Sequence, residues 1–100
     1  MSNPSPDLSD IRSAIDALDR QIIALIAARQ RFVEAAGAAK AGQGSDAVRA
    51  PARVEAVIAR VREEATAAGA SPAVVEAAYR AMIAAFVELE LEVHAGGREG

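Results

Sequence analysis

Apolar residues stand at Leu8, Ile11, Ile15, Leu18, Ile22 and Leu25, alternately three and four apart; Arg29 then interrupts the row before Phe32 and Ala36 resume it. That spacing is the signature of an α-helix with a narrow apolar seam. Asp7, Ser9 and Asp10 are all able to cap its start, and the glycines of AGQGSD end the pattern after Lys40. A helix from 8 to 40 has ~33 residues and is ~50 Å long at ~1.5 Å per residue. A compact chain of this size has a radius of gyration of only about 13 Å, so much of the seam would stay bare in a monomer. The pattern therefore predicts a homodimer built along the first helix.

A loop is expected at about 41 to 50. Pro51 then suits the first position of a second helix, with Val54, Val57, Ile58 and Val61 on one side and Gly69 as its C-cap. Ser71 followed by Pro72 repeats the start signal. The third helix carries Val75, Tyr79 or Ala78, Met82, Phe86, Leu89 and Val93 as its stripe, and Gly96-Gly97 is expected to end it. The fold class is all-α: three helices with a long first one, in a single domain over 8–95 between flexible tails at 1–7 and 96–100.

Composition narrows the function more than the fold. At 52% apolar residues there is ample material for a core, while only three aromatic residues and many alanines favour thin, closely packed helices over a β-sandwich. There is no cysteine and a single histidine, His94, so neither a disulfide framework nor a zinc site is expected, and no cofactor. Net charge is −3 with the basic residues scattered, which argues against nucleic acid as a partner. The first residues have neither a basic nor an apolar signal region, and no apolar run reaches the ~18 residues of a membrane span. A cytoplasmic location with no membrane partner is the expectation.

The candidate chemistry lies in the cations that interrupt the apolar rows. Arg29 and Lys40, the only lysine, are eleven residues apart, about three turns, and so fall near one line ~16 Å apart. A guanidinium and an ammonium on a seam need anions or a wet pocket. They either pair with glutamates of this chain or together grip a small dianion. Arg12 is too far along the rod to share that ligand within one subunit, but an antiparallel partner could bring its own copy to the site; alone, Arg12 reads as a surface residue four before Asp16. Glu90 continues the apolar row Ile83, Val87 and is either a counterion to these cations or a protonated hydrogen-bond donor. Arg53, in the first turn of the second helix, is a surface arginine unless an anion binds there. Gly37 inside the long helix points to close approach by another helix or a ligand. His94 reads as a helix-end cation complementing the dipole, with no chemistry assigned.

The stretch IRSAIDALDRQIIALIAARQRFVEAAGAAK resembles the first helix of the all-helical, type II chorismate mutases, with Arg12, Asp19, Arg29 and Lys40 at that family's spacing. The resemblance covers roughly residues 8 to 93. It implies an intertwined helical homodimer whose sites bind the two carboxylates of chorismate through Arg29 and Lys40 of one chain and Arg12 of the partner subunit. It also implies catalysis by Lys40 and Glu90 at the substrate's ether oxygen, with Arg53 among the substrate-binding residues. Most bacterial relatives have glutamine where Glu90 stands; a glutamate donates there only when protonated, so mildly acidic pH should favour the reaction. Ala50-Pro51-Ala52-Arg53-Val54 departs from the mutases, which follow the arginine with a substrate-contacting glutamate. It is similar to the isochorismate pyruvate lyases, a branch on the same fold that shares the Arg, Arg, Lys set. Mutase, lyase and a noncatalytic helical dimerisation module are the readings left open.

Overall fold

The computed structural model describes residues 7–40 and 42–99, with side chains to Ala95. The expected tail before Asp7 lies outside the described residues. Four helices follow in order: α1 (Leu8–Ala39), α2 (Ser45–Arg49), α3 (Pro51–Ala68) and α4 (Pro72–Glu99). Three are the long helices the spacing predicts, and the architecture is all-α. Among the described residues no helix is long and apolar enough to cross a membrane.

The chain divides into two compact units, Met1–Phe32 and Val33–Gly100. The first is the body of α1. Of the three possible caps it uses Asp7, whose carboxylate accepts from the Asp10 N–H at 2.8 Å while its carbonyl accepts from the Ile11 N–H. Fixing one orphan N–H in this way is typically worth ~1 kcal/mol. The seam residues Leu8, Ile11, Ile15, Leu18, Ile22 and Leu25 are all exposed, as is Phe32 at 78%. Buried, side chains of this kind contribute about 1.5–3 kcal/mol each. In this unit that potential is unused.

In the second unit α3 packs on α4, and the short α2 also lies against α4. Val57, Ile58, Val61 and Ala65 of α3 and Phe86 of α4 are buried in the core, and Val75, Tyr79, Met82, Leu89 and Val93 of the predicted stripe are all partly covered. Ser71 starts α4 as predicted, its hydroxyl accepting from the Val74 N–H, and Gly69 ends α3 at φ 79. On the surface, Arg80 joins the two helices by a two-pronged bond to Glu55 at 2.9 and 3.0 Å, and Glu76 accepts from both Arg80 and Arg62. These bonds hold the carboxyl groups of Glu55 and Glu76 below the usual carboxylate range and push the Arg80 guanidinium up, the hydrogen bonds outweighing the direct charge attraction in each case.

Two local expectations are corrected. The 41–50 stretch is not all loop, because Val48 is buried, and that anchor turns Ser45–Arg49 into a helical turn. Its cap, Ala50, takes the left-handed conformation at φ 36, ψ 63 immediately before Pro51. At the other end, α4 does not stop at Gly96-Gly97 but runs on to Glu99. A glycine costs a helix only ~1 kcal/mol, and it terminates one when the chain must turn left-handed there.

Candidate functional site

Lys40 follows directly on α1, its N–H bonded to the Ala36 carbonyl at 3.0 Å, so the side chain leaves from the last helical turn. Its ammonium donates to Glu90 Oε1 at 2.9 Å. The pair is sheltered but not sealed, with side chains 30% and 10% exposed. This contact is the one the counterion role, one of the two open to Glu90 from sequence, calls for. At this depth an unpartnered carboxylate would be costly, and pairing offsets that penalty.

Gly37 explains how the two helices come close enough. A Cβ placed on it would stand 3.0 Å from Glu90 Cγ, 3.1 Å from the Glu90 carbonyl oxygen and 3.4 Å from Val93 Cβ. The missing side chain lets α4 lie against the end of α1, so helix packing is the reason for the glycine. Three residues after Gly37, Lys40 then reaches Glu90 without stretching.

The expectation for His94 is overturned. It does not stand at the helix end, because α4 runs on to Glu99; it is buried, with 4% of its surface accessible, and its Nε2 lies 2.6 Å from the Gln43 carbonyl oxygen. A carbonyl only accepts, so Nε2 carries the hydrogen and donates. The signal was present in the spacing: His94 is one turn beyond Glu90 on the same face of α4.

On the same α4 row, Ile83 and Val87 line an open cleft of about 270 Å³ together with Arg49, Val54, Arg80, Ala84 and Glu88. Glu90 lies one turn past Val87, ~4.5 Å farther along the axis. Its lining is apolar at Val54, Ile83, Ala84 and Val87 and carries charges of both signs, Arg49, Arg80 and Glu88, with Arg80 already engaged by Glu55 and Glu76. Arg49 had drawn no binding role from sequence, because its place depends on the unforeseen turn of α2.

The predicted residues separate as follows. Lys40 and Glu90 are brought together. Arg53 is exposed on α3, next in sequence to cleft-lining Val54. Arg12, exposed, and Arg29, half-buried, belong to the unit that ends at Phe32.

No curated protein and no solved structure gives a significant match to the chain. The family model for chorismate mutase type II, however, matches residues 11–91, which takes in α2 and α3, nearly all of α1 and the part of α4 that carries Glu90. On that match, over most of its length, the chain belongs to the type II chorismate mutase family.

Proposed function

We propose that the chain is a chorismate mutase, converting chorismate to prephenate. The observation that carries this reading is the Lys40–Glu90 pair at 2.9 Å in a member of that family. The rearrangement is unimolecular: an ether C–O bond breaks as a C–C bond forms, with no nucleophile, metal or cofactor required. Catalysis consists of holding the dianion in its reactive conformer and stabilising the charge that gathers on the ether oxygen. Lys40 supplies the positive charge, and Glu90, when protonated, a second donor at that oxygen. Arg29, Arg53 and Arg12 of the partner subunit bind the carboxylates, for which arginine's planar fork is suited.

The homodimer is part of the same reading. It is supported by the exposed seam of α1, from Leu8 to Leu25, which a second copy would cover. It is supported also by the open cleft, which at about 270 Å³ falls just below the range of about 300–1,000 Å³ usual for small-molecule pockets and leaves walls for a partner to provide.

One observation favours a second reading, isochorismate pyruvate lyase. Val54, in the Ala50–Val54 stretch similar to that branch, puts an apolar side chain into the cleft where mutases carry a glutamate for a substrate hydroxyl. Incubating the purified protein separately with chorismate and isochorismate decides between them. Prephenate from the first supports the mutase, salicylate with pyruvate from the second supports the lyase, and no product from either overturns both.

A further inference from the structure

We propose that His94 is a positioning residue: from α4 it holds the turn that carries Lys40 and so keeps the ammonium in register with Glu90. Glu90 and His94 stand one helical turn apart and grip the same short segment at two points. Glu90 takes the Lys40 ammonium at 2.9 Å, and His94 Nε2 donates to the Gln43 carbonyl at 2.6 Å. Between those points the Gln43 N–H returns to the Lys40 carbonyl at 2.9 Å, closing a loop of bonds from α4 through Gln43 to Lys40 and back to α4.

The end of α1 holds the Lys40 N–H through the Ala36 carbonyl, and His94 adds a hold on the far side of the turn. A Cβ built on Gly42, at φ 92, would meet nothing within 4 Å, so no side-chain packing fixes the turn at that position. A lysine has four rotatable bonds and an ammonium without fixed direction, which makes its placement depend on where its backbone is held. His94 is the buried group that does this, and its burial shields the bond to Gln43 from competing water. Its consequence for turnover rests on the mutase reading above; its hold on the turn does not.

The test uses full-length His94→Leu and His94→Gln, each checked for folding by thermal unfolding. Leucine removes the donor. Glutamine keeps an amide N–H of similar reach. Hydrogen exchange at the Gln43 amide is expected to speed up about tenfold in the leucine variant and to return toward the wild-type rate in the glutamine variant. With chorismate as substrate, kcat is expected to fall about 10- to 100-fold in the leucine variant with KM changed about twofold or less, and glutamine is expected to restore most of it. Unchanged exchange in the leucine variant, faster exchange with unchanged kcat, or a glutamine variant as impaired as the leucine one each overturns the proposal. If wild-type protein turns over neither chorismate nor isochorismate, the mutase reading has failed, and the exchange measurements still decide whether His94 holds the turn.

Discussion

Lys40 and Glu90 are fifty residues apart in the chain, and their side chains meet at 2.9 Å. The pairing gives each group what its position lacks. Glu90 is almost withdrawn from water and needs a cation; Lys40 ends a helix and has no acidic residue within a turn before it in sequence.

Replacing Lys40 therefore acts twice. Lys40→Ala is expected to lower kcat/KM for chorismate by about 10²- to 10³-fold or more, the usual effect of losing one preorganised charge at a developing oxyanion. It also strands the Glu90 carboxylate, at a cost of about 1–3 kcal/mol. Steady-state kinetics and thermal unfolding measure the two effects separately, and full activity in this variant would remove the electrostatic role.

Glu90→Gln separates donor from counterion. A glutamine donates at any pH, whereas a glutamate does so only when protonated. Activity of the wild type should rise toward mildly acidic pH, and the variant should hold its activity to higher pH. Superimposable pH–rate profiles would exclude a protonated Glu90 as the donor.

At Gly37 two effects oppose one another. Alanine favours the helix by ~1 kcal/mol over glycine. Its Cβ would crowd the Glu90 backbone oxygen at 3.1 Å, and overpacking of this kind costs about 1–3 kcal/mol. A carbonyl fixed in α4 yields poorly, so Gly37→Ala is expected to lose up to about 2 kcal/mol in chemical denaturation and to lose activity as Glu90 shifts.

The Arg62–Glu76–Arg80–Glu55 network gives a pH dependence of known sign. Hydrogen bonds from arginine lower the carboxyl groups of Glu55 and Glu76 from the ordinary 4.5, so the folded state holds fewer protons there than the unfolded state does. Their stabilisation is fully present above pH 4.5 and is lost as pH falls through the lowered values. Glu76→Gln should flatten the acid limb of the melting temperature against pH by lowering the neutral plateau toward the acid value, and only modestly, since these groups are surface-exposed. An acid limb as steep as that of the wild type would count against the network.

The α1 seam predicts association. Ile22 is 52% exposed in the middle of the row, and Ile22→Asp would put a charge into both copies of a symmetric contact. Light scattering at micromolar concentration should find a dimer for the wild type and a monomer for the variant. A monomeric wild type would refute the shared site.

Periodicity made the long helices legible. Val57, Ile58, Val61 and Phe86 are buried, as their three- and four-residue spacing requires, and proline and serine mark the helix starts. That Glu90 would face a cation was legible too, because a carboxyl group on an apolar row calls for a polar partner. What stayed hidden depends on contacts between distant parts of the chain. A five-residue helix such as α2 has no propensity signal of its own and is held by burial of Val48. His94 looked like a helix-end charge because its partner, the Gln43 carbonyl, is fifty-one residues away and belongs to the backbone, where residue identity tells nothing.

Ala50 has a further consequence. Its left-handed backbone is unfavourable for any residue with a Cβ, and Pro51 locks the next rotation, so the corner between α2 and α3 is a stiff elbow. With Val48 buried on α4 and Gln43 bonded to His94, this elbow fixes the direction in which α3 leaves the short helix.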